Sequence, residues 1–490
     1  MMSRLPVWLL FAAMLAPLLR GAERNAWPVV VERAEATPAG ASSTTEMLGP
    51  LFYQRQNADG SQTEAFRPLM LWQAQGEKET TYLLYPLFTW QRDGTQTYFS
   101  FFELINDRRN IPPGGAAATH HFDVWPFYFS RQTGDPAEDY HALFPVAGTI
   151  KHRFGKDRLS WGAFPLYFHT EKSGKQVTSV PWPFIRFIDG AGHRGFEFWP
   201  LAGARGKEGE YHNQFFLWPL FYRNESNLSA TQPDVKLGAL PFYTRETGPG
   251  YRSENYAWPL FGYTHRTAPT RYDETRYLWP LLVQGRGENK YLNRWAPLYT
   301  HSVIKGYDKT WLAWPLFRQD RWSEQGVAQE KNQFLYFVYW SLEQRSLANP
   351  AAAPAYKKHL WPLFSVWDNG AGRRQLQLLS PLEVFFPHND PIRQLYSPLF
   401  AVYRYDQRAR DDVRWSVLWG LLSRHDSPAE KEFHLGPLFS TYAAPDRARV
   451  AFGNGLLGWR REPGAPRWRF FLFDFRSPSV TKAPAASTQP

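Results

Sequence analysis

One feature constrains this chain more than any other: proline recurs as punctuation from Pro50 almost to the C-terminus. Each copy has an aromatic or small residue, then Pro, then Leu-Phe or a near equivalent, as in Leu217-Trp218-Pro219-Leu220-Phe221-Tyr222-Arg223. The full pair stands at Trp125-Pro126, Trp182-Pro183, Trp199-Pro200, Trp218-Pro219, Trp258-Pro259, Trp279-Pro280, Trp314-Pro315 and Trp361-Pro362. Looser copies include Tyr85-Pro86, Phe164-Pro165, Ala296-Pro297, Ser397-Pro398 and Gly436-Pro437. Proline carries no N–H and clashes with the preceding helical turn, so long helices have no room between copies.

The copies divide the chain into about 23 units, most often near 18 residues long, a period typical of repeat architectures. In one unit, Leu281-Leu282-Val283-Gln284 is followed by Gly285-Arg286-Gly287-Glu288-Asn289 and then Lys290-Tyr291-Leu292-Asn293-Arg294-Trp295. A β-prone run, a Gly-rich turn and a second β-prone run describe a hairpin. The expected fold is therefore all-β: a repeat array of antiparallel units, hairpin or meander, in an elongated or rolled sheet. Two insertions, Asn110 to Thr119 and Ser346 to Ala355, read as loops, and no domain boundary is expected inside the array.

Two pictures of the proline remain open. If each strand of about 12 residues runs through the Trp-Pro step, it spans roughly 40 Å and fits a large up-and-down outer-membrane β-barrel. Proline is rarely tolerated mid-strand, however, and the Leu-Trp-Pro-Leu-Phe centre is apolar on both faces. The preferred picture places Pro at a corner, bulge or strand start, with the eight Trp-Pro pairs in a shared aromatic core. The style is similar to the aromatic hairpin repeats of choline-binding and MORN arrays. The Gly-Trp and Tyr-x-Gly patterns of those families are absent, so no site is carried over.

The ends differ in composition. Arg4, an apolar run from Val7 to Leu19 and small residues at Gly21 and Ala22 read as a signal peptide over 1–22, although Arg20 departs from the usual small-residue pattern. Residues 23–47 read as a disordered linker, 48–475 as the repeat domain and 476–490 as a disordered tail. With no cysteine in the chain, disulfides, thiolate metal sites and a lipidated Cys are excluded. The expected location is exported, in the periplasm or outer membrane of a Gram-negative-type bacterium.

The net charge of +11 favours anionic partners, but no dense Lys/Arg run or nucleic-acid motif is present. Gly453-Asn454-Gly455-Leu456-Leu457-Gly458 matches GxGxxG, yet the Pro- and Gly-rich stretch that follows cannot open the helix a dinucleotide site needs. His120 and His121 are adjacent and so point to opposite faces of a strand, which suits no shared metal ion. Carboxylates such as Glu208 with Glu210, and Asp411 with Asp412, are spread evenly over the repeats. No catalytic, cofactor or metal site is assigned. The expected function is a non-enzymatic envelope scaffold, structural or binding, with anionic glycan, lipopolysaccharide or envelope proteins as candidate partners and membrane association open. An outer-membrane channel or transport barrel is the alternative, and a carbohydrate-active enzyme the third.

Overall fold

The computed structural model describes residues 23–475 apart from 38, 39 and 116. Forty-five short strands, β1 (Arg24–Ala26) to β45 (Arg469–Leu472) in chain order, form one open antiparallel meander. β1 pairs only with β2 (Val30–Thr37), and β45 only with β44 (Leu457–Arg461), so no pairing among the described residues closes a barrel.

The proline explains why. β30 (Tyr299–Ile304), the loop Lys305-Gly306, β31 (Tyr307–Leu312) and the turn Ala313-Trp314-Pro315-Leu316 lead into β32 (Phe317–Glu324). Two short strands and two turns thus fill the period of about 18 residues that one long strand was considered to occupy. Lys305 and Gly306 both have positive φ (50° and 82°), as a type I′ hairpin requires. At the other end Leu316 N–H donates to Ala313 C=O at 2.8 Å, across the cis Trp314-Pro315 bond, which is the type VI arrangement. Pro therefore occupies a turn position where no ladder N–H is needed. Its carbonyl is still used: Trp314 N–H donates to Pro297 C=O at 2.8 Å and Trp218 N–H to Pro200 C=O at 2.7 Å, linking successive Pro turns.

The two turn types alternate, so they lie on opposite rims of the sheet. The insertions at 110–119 and 346–355 both fall on the glycine rim. The eight Trp-Pro tryptophans, from Trp125 to Trp361, are exposed on the proline rim instead of forming the expected shared core. A turn projects beyond the paired strands, so its side chains find few neighbours to cover them.

The array divides into two compact units, 86–361 and 23–85 with 362–475, which corrects the expectation of a domain without internal boundary. In the first, Phe129, Tyr140, Ala142, Ile150 and Trp161 form a buried cluster, with Phe144 and Phe164 packed against it. Full burial of one such large side chain contributes about 1.5–3 kcal/mol.

In the second unit, N-terminal and C-terminal residues meet through side chains. Asn25 Nδ2 donates to Gly420 C=O at 2.7 Å, and Arg67 Nε to Gln394 C=O at 2.7 Å. Two short helices, α1 (Asp390–Leu395) and α2 (Ser397–Phe400), replace a hairpin here, with Pro near the start of each and Asn389 capping the first. Leu395 is wholly buried against Ala65 and Leu71.

Residues 23–47 are not a linker. β1, β2 and β3 (Gly40–Met47) continue the meander, and Val30 and Val31 are buried. Trp27-Pro28-Val29 is a further copy of the Pro turn, and it leads into the β-prone Val30-Val31. Pairing on both sides of β2 and β3 overrides their low strand propensity. The segments expected to be signal peptide (1–22) and tail (476–490) lie outside the described residues.

Candidate functional site

The proline rim is the most distinctive surface. In the 86–361 unit the residue after Pro is often more exposed than the Trp before another: Leu166 is 61 % exposed, Leu298 70 % and Phe242 76 %. Adjacent strands lie about 4.8 Å apart, so successive Pro turns recur about every 10 Å along the rim. Ring contacts hold these side chains in place. The Trp218 ring lies 5.8 Å from that of Tyr222 and 6.1 Å from that of Phe215, and Trp182 lies 5.4 Å from Phe164. Trp314 Nε1 donates to Tyr336 Oη at 3.1 Å.

Next to the rim, the apolar character extends onto the sheet. Cross-strand register sets Phe198 opposite Ala202, Ala202 opposite Phe216, Phe216 opposite Phe221 and Phe221 opposite Ala239. The small residues of β20 (Ala202–Lys207) and β23 (Asp234–Ala239) leave an open trough of about 870 Å³ between the phenylalanines. Arg223 lines it and is paired with Glu225.

Further from the rim the strands carry ion pairs. Arg186 and Arg205 both contact the buried Glu197, at 2.8 and 3.2 Å, and Arg318 holds the buried Asp320 at 2.7 Å. Arg276 donates to Asn255 at 3.0 Å, Thr264 at 2.9 Å and the Tyr263 carbonyl at 2.9 Å. These pairs neutralise much of the charge within the sheet.

Several of the polar residues that stand out in the sequence have neighbours of their own. His120 Nε2 lies 2.9 Å from Asp107, while Asp123 takes a two-pronged contact from Arg153 at 2.7 and 2.8 Å. Glu210 pairs with Lys207, and Asp412 lies 3.0 Å from His425. Gly453 to Leu456 form the turn between β43 (Ala448–Phe452) and β44, without the helix a dinucleotide site would need.

Sequence reasoning located the Trp-Pro pairs but missed their exposure, since a turn and a core corner have the same local pattern. It also missed the trough. The signal available was Ala202-Gly203-Ala204 lying between Phe196-Glu197-Phe198 and Phe215-Phe216. No protein-family model matches the chain, and no curated protein is similar to it in sequence.

Proposed function

We propose that this chain is an exported, non-enzymatic β-repeat scaffold of a bacterial envelope that seats its proline rim against a lipid surface. The observation that carries the reading is the exposure of Trp and Leu at turn after turn along one rim. Contiguous exposed apolar surface of this kind marks an interaction site or a membrane contact. Trp is suited to the bilayer interface because its ring is apolar and its N–H is polar. Repetition over many units favours a continuous apolar phase over one small ligand. The strands support a seat on the bilayer and not a span: six residues at ~3.3 Å reach ~20 Å, short of the ~30 Å hydrocarbon core.

Fractionation tests it. The protein is expected in the membrane fraction after a high-salt wash, since an apolar seat is not screened by salt. Release by salt alone would contradict the reading.

A second reading, an acidic glycan as ligand, is favoured by the trough, where Phe216, Phe221 and Arg223 could stack on and pair with a charged sugar. Binding on a glycan array that is lost on Phe221→Ala would support it.

A further inference from the structure

Around Glu23, the first described residue, the second unit gathers buried carboxyls. Glu23 is 7 % exposed, and its main-chain nitrogen donates to Glu432 Oε2 at 3.3 Å. Its carboxylate is well served: Ser423 Oγ donates at 2.7 Å, Arg33 Nε at 3.3 Å, and Arg414 lies 4.0 Å away. Burial alone would raise that carboxyl, but Arg33, then His434 and Arg414, outweigh it and hold it well below the usual carboxylate range.

Glu432 is less well served. It is 3 % exposed, and its Oε1 is buried with no hydrogen-bond partner. His434 Nε2 stands 3.9 Å from its other oxygen. Glu430 adds a third carboxyl, raised by burial and then by Glu432, and it faces Tyr442 and His425. Arg33, Arg414 and His434 are the cations around these carboxyls, and Arg33 also serves Glu46 at 2.9 Å. A buried charge without a full partner is destabilising. One oxygen of Glu432 thus lacks a donor, and the Glu23 nitrogen stands beside the other.

We infer that the chain is cut between Ala22 and Glu23, and that the new α-ammonium is the partner Glu432 lacks. Water adds across the Ala22–Glu23 amide under a leader peptidase; the carboxylate stays with Ala22, and the nitrogen remains on Glu23 as the ammonium. One amide N–H becomes three N–H donors, enough to reach both oxygens of Glu432. The sequence places small residues, Gly21 and Ala22, just before this bond, after the apolar run from Val7 to Leu19. The cut therefore completes a buried ion pair that ties β1 to β41 (Lys431–Leu435).

Two measurements test this without lipid or ligand. The intact mass of the full-length gene product, expressed in a Gram-negative host and purified from its envelope, is expected to correspond to a chain starting at Glu23. Any other start, or a retained Met1, overturns the assignment of the bond. Separately, the chain starting at Glu23 is compared with the same chain acetylated at that nitrogen, which keeps one N–H and removes the charge. Acetylation is expected to lower Tm by about 2–4 °C, and Glu432→Gln is expected to abolish the difference. Equal midpoints in the unsubstituted chain overturn the role of the ammonium.

Discussion

At the scale of the residue, two positions in the 86–361 unit show what the sheet demands of its side chains. Gly238 lies beneath the Tyr222 ring, where an added Cβ would come within 2.1 Å of Cε1. Gly238→Ala must displace the ring, and a cost of about 1–3 kcal/mol is expected, read as a lower urea midpoint. An unchanged midpoint would show that the ring is not fixed there.

His359 is fully buried, with its ring 4.5 Å from that of Trp340 and neither nitrogen hydrogen-bonded. Burial, and then Lys357, push its imidazole down to about 3. In the unfolded chain it titrates near 6.5. Between those values the unfolded state binds the extra proton, so stability is full above about pH 6.5 and falls as pH drops toward about 3. His359→Leu is expected to retain on the order of 2–3 kcal/mol more of its neutral-pH stability at pH 4 than the unsubstituted chain does. Parallel pH profiles of unfolding would contradict this. Neither environment could be read from sequence: Gly238 and His359 sit in runs whose neighbours give no sign of which ring covers them.

At the scale of the element, the Pro turn accounts for most of what was legible. Pro marks a place where the chain reverses, and alternation of Pro and Gly turns is a local property. The period and the all-β class followed from it. The hairpin unit followed as well; what did not follow was the exposure of the Pro turns, because Trp-Pro-Leu-Phe is as apolar in a turn as in a core. Trp27-Pro28 shows that the turn also forms outside 48–475, next to the β-prone Val29-Val30-Val31.

The copy Ser397-Pro398-Leu399-Phe400 departs from the pattern, being helical. There Pro sits near a helix start, where its missing N–H costs nothing. The preceding helix, α1, depends on Asn389, whose Oδ1 accepts from Ile392 N–H at 3.0 Å and whose Nδ2 donates to Tyr85 Oη at 2.9 Å. Asn389→Ala removes both bonds, and a loss of about 1–2 kcal/mol is expected. Asn389→Asp keeps the cap and is expected to recover about half. If both variants unfold at the unsubstituted midpoint, the cap does not hold the helix.

At the scale of the whole molecule, repetition turns a local motif into a surface. One exposed Trp-Pro-Leu turn is unremarked on any protein; a regular line of them along the rim of the 86–361 unit is a large apolar feature on a chain with a net charge of +11. The open meander was the preferred reading, but the division into two units was not legible. That division depends on contacts between residues about 400 positions apart, such as Glu23 with Ser423, which no periodicity encodes. The same holds for exposure of the rim, which is decided by which side of the sheet each turn leaves.

The most direct measurement is flotation of the chain starting at Glu23 with phosphatidylethanolamine–phosphatidylglycerol vesicles, at low and at high salt, beside the triple variant Leu166→Gln, Phe242→Gln, Leu298→Gln. These three side chains are mostly exposed, so the variant is expected to unfold within about 0.5 kcal/mol per site of the unsubstituted chain. The unsubstituted chain is expected to float with the vesicles at both salt concentrations, with its tryptophan emission shifted to the blue, while the variant stays behind. A chain that remains at the bottom, floats only at low salt, or floats equally well with and without the three apolar side chains would contradict a rim seated in lipid.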